Sequence, residues 1–185
     1  MNKELKEAIQ VVKDGGVVLY LSDTIWGIGC DPRNEKAVEK VQKIKRRPSN
    51  KSFIVLISQI EQLNDHLRKV PELAWDLVEF AEDPLTVIYP DSKFLPQNVI
   101  AEDGSVGIRL VKGGECLDFV KGLRYGLLST SANLSGEPSP KSYSEISQEV
   151  LNEVDYILTS DAKSDNKPSK IVKLGVNGEF KIIRE

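Results

Sequence analysis

Apolar residues recur at helical spacing in some stretches of this chain and form short unbroken runs in others, and the exchange between the two patterns predicts its elements. Over residues 3–14, Leu5, Ala8, Ile9, Val11 and Val12 fall close to one helical face, and Gly15-Gly16 ends the segment. Val17-Val18-Leu19-Tyr20-Leu21 is a β-rich apolar run, as in a buried strand. Residues 22–31 read as a loop with two glycines. Asn34 is placed to cap a helix running to about Lys45, with Ala37, Val38, Val41 and Ile44 on one face. Pro48 disfavours helix at Arg47 and stops it. Strands are predicted over 53–57, 85–89, 106–111, from 126 onward, and over 155–159, 170–174 and 180–184, the last two as a hairpin around Asn177-Gly178. Helices are predicted over 59–68, over 71–82 with Pro71 in the first turn, over 115–124, and from a Ser142 or Ser144 cap to about Leu151. With no internal repeat and no linker-like stretch, the pattern predicts one α/β domain over 1–185, a twisted mixed β-sheet with helices packed on it.

Composition narrows the function. The chain has 185 residues, 40% hydrophobic and 29% charged, enough for a full hydrophobic core. No apolar run approaches the roughly 20 residues that cross a membrane. The N-terminal residues are charged and lack a leader's apolar stretch, so a cytoplasmic location without membrane attachment is expected. Net charge is −3, so a nucleic-acid partner would need a local basic patch. Two cysteines, Cys30 and Cys116, read as buried thiols rather than a framework or metal site. The one histidine, His66, sits in Asn64-Asp65-His66-Leu67-Arg68, which reads as a solvated helix end or loop. Ser-His-Asp hydrolysis and histidine-based metal catalysis then lose their central residue. Neither HExxH nor GxxxxGK[ST] occurs.

Three constellations carry chemistry. Five of the nine residues 43–51 are basic: Lys43, Lys45, Arg46, Arg47 and Lys51. If the chain is extended there, Lys45 and Arg47 share a face and Arg46 turns away. That pair suits a polyphosphate, while a solvated helix end complementing the helix dipole explains the same residues. Ser129-Thr130-Ser131-Ala132-Asn133-Leu134-Ser135-Gly136 follows a buried strand, where open α/β sheets place ligands. Ser131 and Asn133 have the spacing to share a face, and Asn133 can also cap the following turn. Ser22-Asp23-Thr24-Ile25-Trp26-Gly27-Ile28-Gly29 follows another buried strand, with Trp26 either in the core or against a ligand ring. Arg109 ends an apolar strand, which calls for a buried ion pair or an anionic ligand. Together these predict a cleft for an anionic ligand, working by position and charge.

The same residues resemble a known family over nearly the whole chain, the YrdC-like threonylcarbamoyl-AMP synthases. Lys45-Arg46-Arg47 matches its K-x-R, residues 129–136 match S-T-S-A-N-x-S-G in full, residues 21–29 follow P-T-D-T-V-Y-G-x-G, and Gly107-Ile108-Arg109 matches G-x-R. Departures fall at Leu21, Ser22, Leu56, Asp83, Val111, Lys170 and Lys173, mainly on the threonine side.

The resemblance implies the YrdC-like fold in its single-domain form, without the further C-terminal domain of longer relatives. It implies formation of threonylcarbamoyl-AMP and pyrophosphate from L-threonine, bicarbonate and ATP, a nucleotidyl transfer. A separate tRNA threonylcarbamoyltransferase would then consume the product. By family pattern Thr24, Arg109, Ser129 and Ser169 contact threonine. Arg47, Lys51, Ser105, Ser131, Ser139 and Arg184 contact ATP. Lys45, Arg47, Ser131 and Asn133 are the catalytic set. Mg2+ is expected with the triphosphate and not in a protein metal site. Two other readings stand beside this one: a module contacting tRNA or double-stranded RNA through residues 43–51, and a diverged paralogue that adenylates another substrate.

Overall fold

The computed structural model describes residues 2–47, 53–159, 167–175 and 177–185. Helix α1 (Lys3–Lys13) begins at Asn2, whose Oδ1 accepts the Leu5 amide at 2.8 Å. Strands β1 (Val18–Leu21) and β2 (Trp26–Cys30) then form an antiparallel hairpin. Helix α2 (Glu35–Ile44) is capped by Asn34, and β3 (Ile54–Ile57) follows. After β3 come a 3-10 turn, a short α3 (Leu63–His66) and α4 (Glu72–Glu79). Strands β4 (Leu85–Tyr89) and β5 (Val106–Leu110), helix α5 (Gly114–Lys121) and strand β6 (Leu127–Ser131) complete the middle of the chain. Helix α6 (Gln148–Glu153) and strands β7 (Tyr156–Ile157), β8 (Lys170–Leu174) and β9 (Phe180–Arg184) end it. Among the described residues the nine strands form one mixed sheet, ordered β7-β1-β2-β6-β3-β5-β4-β8-β9.

The sheet has two different faces. On one, Ile28, Val55, Val87, Ile108 and Leu128 form the larger core with Val38 and Val41 of α2 and Ala74 and Val78 of α4. On the other, Val18, Tyr20, Leu56 and Leu127 pack under Ala8, Ile9 and Val12 of α1 and Phe119 and Val120 of α5. This second helical layer covers only part of its face. Farther along, the register sets Gly27 opposite Ser131, Ser129 opposite Ile54, Leu56 opposite Arg109, and Arg109 opposite Thr86. Because strand neighbours on one face share parity, these small and polar residues line one open surface. Gly126 sets up β6: it has φ +76°, and a Cβ there would lie 2.3 Å from the Leu56 carbonyl oxygen.

Four expectations need correction. Residues 22–31 are not all loop, since β2 runs inside the sheet between β1 and β6. Its glycines serve close approach rather than a turn: a Cβ on Gly29 would lie 2.6 Å from the Leu128 carbonyl. Residues 59–68 do not form one helix; Gln62 Oε1 accepts the Ser58 and Gln59 amides and tightens the first turn. Neither Ser142 nor Ser144 caps α6; Ser147 does, its Oγ accepting from the Val150 amide. His66 is not solvated. It is 1% exposed, beside Leu63 on the inner side of α3. Burial pulls its pKa down, and it lies away from the open face. Cys30 and Cys116 are buried free thiols, and Trp26 is a core residue at 7% exposure.

Candidate active site

The open face carries a cleft of about 170 Å3. Its walls come from the β1–β2 turn (Ser22, Thr24, Ile25), Gly27, residues 53, 54 and 56 at β3, Arg109, residues 129–131, and Ser139, Pro168, Ser169, Arg184 and Arg47. Three arginines and a row of hydroxyls face this space. No carboxylate or histidine lines it among the described residues.

At one end the β1–β2 turn is closed by Ser22. Its Oγ accepts the Thr24 and Ile25 amides at 3.1 and 3.0 Å and lies 2.9 Å from Thr24 Oγ1. Thr24 Oγ1 in turn accepts from Arg109 Nη1 at 3.1 Å. Arg109 is 4% exposed, and its Nη2 lies 3.0 Å from Asp23 Oδ1. Of the two explanations for a cation in this strand, the buried ion pair is therefore present, and the same guanidinium also borders the cleft. Asp23 and Ser22 carried no role in the sequence reading. The apolar setting of Arg109 was the signal that a partner was needed.

The next wall is tied across three strands. Thr86, opposite Arg109, shares a 2.7 Å hydrogen bond with Ser169 Oγ. Arg184 donates from Nε and Nη2 to the Ser169 carbonyl at 3.0 and 2.6 Å. Ser169 is thus held by main chain and side chain at once.

At the other end stand the two motifs. The chain does not run extended through Lys45-Arg46-Arg47, as the expected alternation required. Helix α2 ends in a Schellman-type turn: the Arg46 amide donates to Lys43 and the Arg47 amide to Gln42, at 3.0 and 2.9 Å, with Arg46 at φ +48°. The outcome for Arg46 is nevertheless the one expected, since it turns outward to Glu149 at 2.7 Å. Arg47 borders the cleft, its guanidinium 4.8 Å from the centre of the Phe53 ring. Burial lowers its pKa.

Lys45 is 1% exposed and lies behind the cleft wall. Its Nζ donates to the Ser131 carbonyl at 2.5 Å, the Asn133 carbonyl at 2.6 Å and Asn133 Oδ1 at 3.3 Å. Its own carbonyl accepts the Ser135 amide at 2.8 Å. Burial, with a smaller push from Arg47, brings the Lys45 pKa down to about 7. Three acceptors nonetheless match the three hydrogens of an ammonium. Asn133 does not share the cleft face with Ser131. Its amide donates to the Leu134 and Glu137 carbonyls, so it caps the turn. Lys45 and Asn133 act on the cleft by holding the loop that carries Ser131.

Two site expectations fall elsewhere. Ser105 is not a cleft residue; its Oγ donates to Asp103 Oδ1 at 2.5 Å beyond the N-terminal end of β5. Lys51 lies outside the described residues.

A family model described as telomere recombination, covering Sua5, YciO and YrdC, matches residues 10–185. The chain belongs to the Sua5/YciO/YrdC family. Curated members similar to it include threonylcarbamoyl-AMP synthases of Xanthomonas oryzae pv. oryzae, 31% identical over 170 residues, covering 90% of this chain and 91% of the relative. That of Pseudomonas aeruginosa is 34% identical over 165 residues, 89% of each chain. Among solved structures, P. abyssi Sua5 complexed with L-threonine superposes with TM-score 0.86 at 24% identity, over 94% of this chain. The chain spans 52% of that longer Sua5 chain. E. coli YciO superposes with TM-score 0.85 at 22% identity, over 98% of this chain and 88% of its own. At these identities the superpositions show that this Sua5/YciO/YrdC member shares the fold.

Proposed function

We propose that this chain is a threonylcarbamoyl-AMP synthase. The amine of L-threonine takes up the carbon of bicarbonate with loss of water, and the carbamate oxygen attacks the α-phosphorus of ATP, releasing pyrophosphate. One observation carries the reading: a single open sheet face joins the Arg109–Thr24 end to the Arg47–Ser131 end, with hydroxyls between and no carboxylate among the described lining residues. Two anionic substrates, an amino-acid carboxylate and a triphosphate, need such a surface. The curated relatives bearing this name match about nine-tenths of the chain.

In this reading Arg109 holds the threonine carboxylate, with Thr24, Ser129 and Ser169 around it. Arg47, Ser131, Ser139 and Arg184 take the triphosphate and stabilise the charge that builds as pyrophosphate leaves. Lys51 would join them from outside the described residues, and an ATP contact at Ser105 requires the nucleotide to reach past the cleft. Lys45 and Asn133 set the loop at 131–135 in place beforehand. Among the described residues no cluster of carboxylates, histidines or cysteines is arranged to hold a metal ion, so Mg2+ would enter on the triphosphate oxygens.

The reaction class is nucleotidyl transfer within one YrdC-like domain over residues 1–185. The setting is cytoplasmic, beside a tRNA threonylcarbamoyltransferase that consumes the adenylate. A direct RNA contact is less well supported, because within the basic stretch Arg46 is paired with Glu149 and Lys45 is buried against the Ser131 and Asn133 carbonyls. The test is pyrophosphate release with ATP, bicarbonate and Mg2+, with and without L-threonine, and mass detection of the adenylate. Release that ignores threonine, or that another amino acid drives better, would refute the assignment.

A further inference from the structure

Tyr20 is fully buried on β1 beneath the cleft, its ring edge-on to Phe119 of α5 at 5.4 Å. The phenol oxygen lies 2.5 Å from Ser129 Oγ, its one hydrogen-bond partner among the described residues. Ser129 is half-buried and lines the cleft. Each hydroxyl has one hydrogen, so the bond has two possible directions. If Ser129 donated, the Tyr20 hydrogen would be buried with no acceptor, which is costly. If Tyr20 donates, its hydrogen is satisfied and the Ser129 hydrogen is left to point into the cleft. Burial drives the phenol pKa upward, so Tyr20 stays protonated and able to donate.

We propose that Tyr20 is a positioning residue that fixes Ser129 as a hydrogen-bond donor in the cleft, creating a place for an acceptor oxygen of the amino-acid substrate, its carboxylate or carbamate. The ligand half of this inference rests on the functional reading above; the direction of the hydrogen bond does not. Nearby, Arg109 supplies a positive charge, and a fixed donor beside it selects an oxygen that only accepts. A free serine hydroxyl, by contrast, would serve donors and acceptors alike.

The test uses Tyr20→Phe, Ser129→Ala and the double variant. Tyr20→Phe keeps the ring against Phe119. It is expected to raise the KM for threonine about tenfold while kcat changes less than about threefold, and to add nothing further in the Ser129→Ala background. Melting temperatures give a second readout that needs no turnover. Ser129→Ala alone strands the phenol hydrogen and is expected to lower the melting temperature, and adding Tyr20→Phe should restore part of the loss. An unchanged threonine KM in an active Tyr20→Phe enzyme overturns the ligand role alone. Tyr20→Phe alone should melt below the wild type; a single variant as stable as the wild type or more so overturns the hydrogen-bond direction, because a donating Ser129 would already leave the phenol hydrogen stranded in the wild type. A wild type that neither turns over nor binds threonine overturns the functional reading and the ligand half together, while the melting comparison still decides the direction.

Discussion

The Lys45 ammonium lies 2.6 Å from the Asn133 carbonyl oxygen, a contact between residues 88 apart in sequence that joins the end of α2 to the loop after β6. The Ser131 carbonyl completes the grip at 2.5 Å. Lys45→Met keeps the stem and removes every donor, leaving two half-buried carbonyls without this partner. The expected cost is about 2 kcal/mol, offset in part because a buried charge is also removed. The expected loss in kcat/KM is larger, about 100-fold, because Ser131 is no longer held. Urea unfolding and pyrophosphate release, measured side by side, check both halves.

Lys45 also makes a pH prediction. Its pKa falls from 10.5 to about 7, mainly by burial. Between these values the folded chain has released the proton and the unfolded chain still holds it. The unfolded state binds more protons there, so this group's contribution to stability rises with pH from about 7 toward 10.5 and is lost as pH falls through 7. Activity should run the other way, since a neutral amine has two hydrogens for three acceptors. Stability curves of wild type and Lys45→Met should therefore converge in shape only below pH 7, with the alkaline rise missing in the variant. Identical slopes in both would contradict the assignment.

Asp23 offsets the charge of Arg109 at 3.0 Å where both are shielded from water. Asp23→Asn leaves a buried guanidinium without its counter-ion, and a loss of about 3–5 kcal/mol is expected. In that variant a bound amino-acid carboxylate becomes the replacement partner. Added threonine should therefore raise its melting temperature more than it raises that of the wild type, which differential scanning calorimetry can measure. An equal or smaller rise would place the threonine carboxylate elsewhere.

At the far end of β5, Lys173 and Ser105 hold the Asp103 carboxyl down to about 2. A depressed carboxyl stabilises the fold above its unfolded value and loses that contribution as pH falls from about 3.8 toward 2. Asp103→Asn should flatten the acid limb of a melting-temperature profile between pH 5 and pH 2 without changing threonine-dependent turnover at neutral pH.

Much of this was legible in the chain. Helix α2, its Asn34 cap and the strands 53–57 and 85–89 follow from apolar spacing, and Arg109 announced a partner by its surroundings. What failed did so for tertiary reasons. Gly27 and Gly29 read as loop residues because local sequence cannot show that Leu128 and Thr130 pass close by. The outward turn of Arg46 was expected from strand alternation but arises from a left-handed helix end. Sequence left Asn133 open between a ligand contact beside Ser131 and a cap of the following turn; the fold decides for the cap, since the Leu134 and Glu137 carbonyls accept its amide hydrogens. Tyr20, read only as part of an apolar run, acquires its role from Ser129 two strands away.

In the proposed synthase one cleft joins a threonine end at Arg109 to a triphosphate end at Arg47 and Ser131. Threonine-dependent pyrophosphate release by wild type, Arg47→Ala and Ser131→Ala, each checked for folding by circular dichroism, tests it most directly. The wild type should release pyrophosphate only when threonine and bicarbonate are present, and both folded variants should lose at least about 100-fold of that rate. Wild-type rates in the two variants, or release indifferent to threonine, would contradict the account.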